Sequence, residues 1–291
     1  MKPPPFDYVV PDSIEAALAA LDAGGVDAKI IAGGQSLMPM LNFRLLKPSM
    51  LVDINRIPDL AFIEDGNDAI RIGALTRHRQ LEVSPVIAQH LPMVTEAMGH
   101  VAHLAIRNRG TIGGSLSHAD AAAELPMLAR LLDAELIITS STGRRTVTAH
   151  DFFLGQLTVD LSEAEMVTEI RIPKLPKATG WGFAEVARRG GDFALAAVAV
   201  TLTVTDGVVA QARIALMGIG DTPHRAADAE VLLIGQAIEP AQLDAVCEAV
   251  RASVEPNTDL HASSDYRHHL VGALTRKTLT AAWQRAQEAA A

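Results

Sequence analysis

The sequence predicts an α+β protein in two parts, and three features of its patterning lead there. Short β-branched runs alternate with short helical segments as far as Ile172, two Gly-Gly-polar sequences interrupt that alternation, and the last third opens on a long hairpin and closes on helices. With 291 residues, 49% hydrophobic and 20% charged, the chain has material for two buried cores. At this size neither disulfides nor structural metals are needed for stability.

Each element follows from local signals. Asp12 or Ser13 caps a helix that runs to Ala23, with Ile14, Ala17, Leu18 and Leu21 on its apolar face and Gly24-Gly25 as its stop. Residues 28–32 form a short strand that runs into Gly33-Gly34-Gln35-Ser36, and residues 37–41 open a second apolar stretch. Residues 50–54 and 69–75 are strands, with Asp65-Gly66 between them as a hairpin-type turn. Residues 86–104 read as helix, with Pro92 near a start and His100 and His103 near the end. A second glycine turn lies within residues 106–118, and an alanine- and leucine-rich helix covers 121–132. Residues 135–140 return to strand, 141–144 turn, and 166–172 form a strand ended by Pro173. The proline- and lysine-containing stretch 173–180 is the candidate linker, dividing the chain into 1–176 and 177–291. Beyond it, residues 194–205 and 208–217 alternate as two strands joined by Asp206-Gly207. Helices follow over 240–254 and 264–289, so this part reads as antiparallel strands with helices on one face.

Composition excludes several functions. The 25 Lys and Arg against 34 Asp and Glu give a net charge of -9, which argues against nucleic-acid binding. The start, MKPPPFDYVVPDSIEAAL, lacks the apolar core of a signal peptide, and no apolar run approaches the ~20 residues of a membrane span. A cytoplasmic protein is expected. A chain whose one thiol is Cys247 cannot form an internal disulfide, a cysteine zinc site or a conventional iron-sulfur cluster. Any such centre must sit on another chain.

The two Gly-Gly sequences, Gly33-Gly34-Gln35-Ser36 and Gly113-Gly114-Ser115, carry the chemistry. Adjacent glycines permit positive φ and close backbone approach, so successive N–H groups can converge on phosphate oxygens; the plainer alternative is a tight turn. Two such turns in one part of the chain favour a dinucleotide cradle. Other nucleotide motifs fail: Gly218-Ile-Gly220 has Pro223 where a Rossmann turn has its third glycine, and no Gly-x-x-x-x-Gly-Lys loop occurs. Ser36 and Ser115 lack the final glycine of a nucleophile elbow. His100 with His103, and His268 with His269, have no neighbouring cysteine and read as helix-end or solvent-facing residues, so no metal site is expected. Arg107 and Arg109 before the second turn are either solvated or lock the loop and face an anion.

Ala32-Gly-Gly-Gln-Ser36 with the following Leu37-Met-Pro-Met-Leu-Asn-Phe-Arg-Leu45, and Arg107-Asn-Arg-Gly-Thr-Ile-Gly-Gly-Ser115, resemble the FAD-binding medium subunit of molybdenum hydroxylases of the carbon monoxide dehydrogenase and xanthine dehydrogenase type. Leu51-Val-Asp-Ile-Asn-Arg-Ile-Pro58, Ile72-Gly-Ala-Leu-Thr-Arg-His78, Thr168-Glu-Ile-Arg-Ile-Pro173, Arg188-Arg-Gly-Gly-Asp-Phe-Ala194 and Tyr266-Arg267 match in the same order, so the likeness covers nearly the whole chain. It implies an N-terminal FAD domain of the vanillyl-alcohol oxidase (PCMH) type, made of two small α+β subdomains, and a C-terminal α+β domain. Ala32, Gly33, Gly34, Gln35, Ser36 and Leu37, with Thr111, Ile112, Gly113, Gly114 and Ser115, would then wrap the FAD diphosphate.

The resemblance assigns further positions. Asp120 and Glu124 lie just downstream, and Glu124 matches an acidic position on the ribitol or ribose side of the cofactor; its alternative role is at the helix start. Met166 and Val167 match apolar positions near the flavin, and Phe193 an aromatic one beside the isoalloxazine, where residue type alone would suggest core. Two departures stand out. Glu185 replaces a lysine frequent near the flavin pyrimidine, with Arg188 or Arg189 as a compensating cation, and Gln35 replaces a frequent histidine.

The function implied is an electron-transfer flavoprotein subunit with no acid or base of its own. A large molybdopterin subunit would hydroxylate the substrate, and a small subunit with [2Fe-2S] clusters would feed electrons to this FAD, which passes them to an external acceptor. The alternatives are a stand-alone FAD-dependent oxidase or dehydrogenase of the vanillyl-alcohol oxidase type, which would need a base over the flavin, and an assembly subunit that has lost FAD.

Overall fold

The computed structural model describes residues 2–290. Its first unit is a parallel sheet built from β1 (Asp7–Val9), α1 (Ile14–Gly24), β2 (Ala28–Ile31), α2 (Leu37–Asn42) and β3 (Met50–Asp53), in the strand order β1-β3-β2. Ser13 caps α1 by accepting from the Ala16 N–H at 3.1 Å, and Ala17, Leu18 and Leu21 bury against Ala28 and Val52. Parallel neighbours need a crossover, and here the link from β2 to β3 runs through the first glycine sequence and α2. The glycine loop therefore sits at the C-terminal end of β2 in this sheet.

The second unit contains β4 (Ile63–Asp65), β5 (Ala69–Gly73), α3 (His78–Val83), α4 (Pro85–His90), α5 (Pro92–Met98), α6 (Leu104–Arg107), α7 (Ile112–His118) and α8 (Glu124–Leu131). It continues through β6 (Glu135–Ser140), β7 (Gly143–Thr148), α9 (Ala149–Phe152), β8 (Phe153–Gly155), β9 (Thr158–Val159) and β10 (Met166–Pro173). Its main sheet has the order β4-β5-β10-β6-β7, antiparallel throughout. Several expectations shift here. Asp65-Gly66 closes β4 onto β5 and does not join β3 to β5, because residues 63–65 form a short strand of their own. The single helix expected over 86–104 is two helices, since Pro85 and Pro92 each stand at the start of a new one. The second glycine turn is the first turn of α7. The helix expected from Ala121 begins at Glu124, because Ala119 ends α7 with φ +53° and the Asp120 carboxylate then accepts from Ala122 N at 2.9 Å in a local turn. Residues 143–148 pair with β6 beyond the expected turn; only Val147 is buried, and Arg145, two residues earlier on the same face, pairs with Asp160 and Glu165.

The third unit follows residues 174–178. It is an antiparallel sheet of β11 (Thr179–Ala187), β12 (Ala194–Thr205), β13 (Val208–Met217) and β14 (His224–Arg225), in sequence order, with α10 (Ala227–Val231), α11 (Pro240–Ala252) and α12 (Ser264–Ala290). The expected hairpin at Asp206-Gly207 is present, with Thr205 opposite Val208. Helices on one face is only half of the arrangement. Val198, Val200 and Leu202 pack with α11 and α12, whereas Ala197, Ala199, Ala215 and Met217 join the core of the second unit against α8. A strand buried on both faces explains why β12 is apolar almost without alternation.

β11 was not evident in the sequence because it carries Gly180 and Gly182. Both serve close packing of α12. A Cβ at Gly182 would stand 2.9 Å from Thr278 Cα, and one at Gly180 would stand 2.9 Å from Ala286 Cα. The Arg285 guanidinium lies over the Trp181 ring at 3.6 Å and bonds its carbonyl at 2.7 Å, fixing the same contact from the side. Gly182→Ala is therefore expected to lower stability by about 1–3 kcal/mol through overpacking against helix backbone. An unchanged urea midpoint for this variant would refute that packing.

Candidate cofactor-binding site

The first glycine sequence meets, backbone to backbone, the segment that leads into the second. A Cβ on Gly33 would fall inside contact distance of the Arg109 carbonyl and 2.8 Å from Gly110 Cα, so only glycine lets the loops approach this closely. Gly34 serves the loop in another way, since its φ of +70° turns the chain from β2 into α2. Met38 N bonds the Gly34 carbonyl at 3.1 Å, but among the described residues no backbone N–H from 33 to 37 has a carbonyl partner. Gln35 folds back on its own loop, donating from Nε2 to the Gly33 carbonyl at 2.8 Å. The first loop thus presents a row of successive free donors.

The second loop is built differently. Ile112 N bonds Thr76 O at 3.0 Å, Gly113 N bonds Ala74 O at 2.9 Å, Gly114 N bonds Thr111 Oγ1 at 3.1 Å, and Ser115 N bonds Thr111 O at 3.0 Å. All four donors are already engaged. The expectation that both turns offer N–H groups is corrected on this point. The exit of β5 docks against residues 110–113, and a Cβ on Gly113 would meet Ala74 Cβ at 2.6 Å. His78 supports the same loop: it is buried and held neutral with its pKa pushed down to about 4 by burial, and Nε2 donates to Thr111 O at 3.0 Å. The second loop contributes shape and hydroxyls.

A cleft of about 1090 Å³, large enough for a dinucleotide, opens between the N-terminal units and the C-terminal sheet; the helices α2 and α7 that follow the two loops reach it through Met40 and His118, whereas residues 32–37 and 111–115 are not among its lining. Met40, Leu45, His118, Asp120 and Leu157 line one side, and Arg188, Phe193, Gly218 and Arg267 the other. Phe193 is 65% exposed, so it is a cleft-wall aromatic and not core. Arg267 is buried and ties the cleft floor together, donating to the carbonyls of Leu195 and Gly218 and to Asp259. Gly191, with φ +87°, lets the 188–193 loop close on Ala102 and His103, where a Cβ would meet the His103 ring at 2.6 Å.

A carboxylate cluster borders the cleft. Glu124 begins α8 with its carboxyl pushed up to about 8 by burial and by the neighbouring charges of Glu185 and Asp120. Glu185 is almost wholly buried; Oε1 takes His100 Nδ1 at 3.2 Å, and Oε2 has no partner. Burial pushes this carboxyl up too, against the pull of His100. His100 stacks edge-on against Phe183 at 5.1 Å and lines, with Glu185 and Arg189, a cavity of about 330 Å³ that meets the main cleft at Gly191. His100 lies just past the C-terminal end of α5 and is exposed, the helix-end position the sequence suggested, and from there its ring also meets Glu185. Arg188 instead lies 3.3 Å from His261.

The anticipated site residues divide. Gly33 of the first loop meets Arg109 and Gly110, immediately before 111–115, and Asp120 and Phe193 line the cleft. Met166 and Val167 are 1% and 5% exposed and pack into the cores of the first and second units, away from the cleft lining. Arg107 locks its loop through Glu82 and the carbonyls of Val101 and Ala102, whereas the Arg109 side chain is exposed. Sequence reasoning assigned no role to Asn55 and Arg77, which bind both glycine loops. Their signal was present in the Leu51–Pro58 and Ile72–His78 motifs. Among the described residues no group of three His, Cys, Asp or Glu side chains is placed to hold a metal ion, and no helix is long and apolar enough to cross a membrane.

Two family descriptions match the chain: "FAD binding domain in molybdopterin dehydrogenase" over residues 4–175, and "CO dehydrogenase flavoprotein C-terminal domain" over residues 181–282. The 6-hydroxypseudooxynicotine dehydrogenase complex subunit alpha of Paenarthrobacter nicotinovorans is 44% identical over 288 residues, covering 99% of this chain and 97% of that one. The nicotine 6-hydroxylase medium subunit of the same organism is 42% identical, covering 98% and 100%. Among solved structures, carbon monoxide dehydrogenase from Hydrogenophaga pseudoflava superposes with a TM-score of 0.96 at 40% identity, covering 98% of this chain and 99% of its counterpart. Quinoline 2-oxidoreductase from Pseudomonas putida 86 gives 0.93 at 40% identity, covering 99% of each. The glycine cradle, the cleft and these matches over both halves agree, and the chain belongs to the family of FAD-binding medium subunits of molybdenum hydroxylases.

Proposed function

We propose that this chain carries FAD within a heteromeric molybdenum hydroxylase, taking electrons from [2Fe-2S] clusters on a small partner subunit and delivering them to an external acceptor. A large molybdopterin subunit would act on the organic substrate. The observation that carries the reading is the row of free N–H groups at 33–37, held against residues 109–110. Such a row matches diphosphate oxygens. Residues 32–37 would grip the diphosphate, with 111–115 closing its other side. Asp120 and Glu124 would face the sugar hydroxyls, and a protonated Glu124 can donate as well as accept. Phe193 would lie against the ring system, and Met166 and Val167 would support it from the cores behind. When bound, FAD supplies a redox group able to exchange electrons singly or in pairs. This chain's residues bind and orient it and shape its surroundings. The domain division at 1–176 and 177–291 belongs to the same proposal, supported by the short segment 174–178 between β10 and β11.

Composition requires the partners: a chain with one buried cysteine has no ligands for iron-sulfur clusters. Tagged full-length chain isolated from its native host should be yellow and bring down two further polypeptides with molybdenum and iron. Turnover of an organic substrate by the isolated flavoprotein would instead support a stand-alone oxidase.

Phe193→Ala should change the visible spectrum or potential of bound flavin while leaving the unfolding midpoint of the flavin-free protein in place, because the side chain is 65% exposed. The converse result would return Phe193 to a structural role. Glu124 makes stability depend on pH. Its carboxyl titrates near 4.5 when unfolded and about 8 when folded, so the folded state binds the extra proton between those values and loses stability as pH rises through that window. Glu124→Gln removes the loss. In the flavin-free protein its advantage in thermal midpoint over wild type should grow from pH 5 to pH 8.5, and a difference independent of pH would contradict a protonated Glu124.

A further inference from the structure

One side-chain relay joins the two glycine loops. Asn55, just after β3, donates from Nδ2 to the Ala32 carbonyl at 2.7 Å, the residue that enters the first loop. Its amide is oriented by Asp53, whose Oδ1 accepts from Asn55 Nδ2 at 2.6 Å and from Asn55 N at 2.9 Å. Asp53 is in turn held by the Tyr8 hydroxyl. The remaining acceptor of Asn55, Oδ1, takes Arg77 Nη2 at 2.6 Å. The other terminal nitrogen of Arg77, Nη1, donates to the Arg109 carbonyl, the same group that a Cβ on Gly33 would strike.

We propose that Arg77, acting through Asn55, is the positioning residue that sets the separation and tilt of the two glycine loops, so that the free donors of the first loop are pre-organised for a diphosphate. The proposal rests on the cradle reading above and adds to it two residues that need not touch the cofactor. The chemistry suits this role. A guanidinium presents two donors at a fixed angle, so one side chain can hold an amide oxygen and a carbonyl at once, which a lysine ammonium on its flexible stem cannot do with the same geometry. Burial and the nearby Arg109 charge oppose the ionised guanidinium of Arg77, so its two acceptors compensate for lost hydration. Loop-to-loop distance matters because the donors lie on successive residues of the first loop while the second loop, its own N–H groups engaged, serves as the opposing wall.

The test uses the full chain stripped of flavin, with FAD and riboflavin binding followed by flavin fluorescence and unfolding by circular dichroism. Arg77→Gln, Arg77→Lys and Asn55→Ala are each expected to weaken FAD binding about 10- to 100-fold, the scale of losing one hydrogen bond to a charged group. Riboflavin, which has no diphosphate, should bind these variants as it binds wild type. The double variant Arg77→Gln/Asn55→Ala should lose no more than the worse single one, since both cut one relay. Gly33→Val is the control for the cradle itself. If it abolishes FAD binding while the Arg77 and Asn55 variants bind FAD normally, the relay is overturned and the cradle stands; if Gly33→Val also binds FAD normally, the cradle reading falls. Equal losses for FAD and riboflavin, or full recovery in Arg77→Lys, would also overturn the relay.

Discussion

The contact between Gly33 and the Arg109–Gly110 backbone is the constraint on which the site depends. Two chain segments more than seventy residues apart in sequence come within backbone contact, and each is carried by a different sheet. Everything around that contact serves to make it possible. Gly34 turns the first loop away, Gly113 lets α7 seat on Ala74, and the His78 ring occupies the space that a Cβ on Gly110 would enter. A side chain at Gly33 would separate the loops directly, and one at the others would displace the neighbours that hold each loop in place. The two loops are not equivalent: one offers free N–H groups, whereas the other has engaged its own in docking to β5.

The cleft owes its shape to a second constraint, the shared core. Because Ala197, Ala199 and Met217 pack with α8, and β11 with α5, the C-terminal sheet is fastened to the N-terminal half by the same apolar burial that stabilises each. Gly218 N to Ala121 O at 2.9 Å adds a backbone link directly at the cleft. Phe193 and Asp120 therefore face each other across a gap set by core packing. The same burial brings Glu185 and Glu124 into one low-dielectric neighbourhood where carboxyls resist ionisation, with the exposed His100 ring against Glu185 at its edge.

Much of the fold was legible in the chain. The α1 cap and stop, the strands at 28–31, 50–53 and 135–140, and the 205–208 hairpin follow from periodicity and turn chemistry. Elements governed by distant partners were not legible. β11 reads as glycine-rich loop until α12 is laid on it, and β7 shows one buried apolar residue because the position two before Val147 on that face is Arg145, which is ion-paired with Asp160 and Glu165. Within the site, the glycine sequences stood out because they are contiguous. The roles of Asn55, Arg77 and His100 did not, because each acts on a residue far away in sequence.

The lone cysteine shows the same division. Composition by itself determined that no iron-sulfur centre resides on this chain, because ligand count is a property of the sequence. It also determined that two glycine loops exist and where they lie. Only the tertiary structure decided that their backbones touch, that the donors of one remain free, and that Glu124 keeps a proton near neutrality. Contact, hydrogen-bond completion and desolvation depend on which distant segments share a core, and the linear chain does not encode those pairings locally.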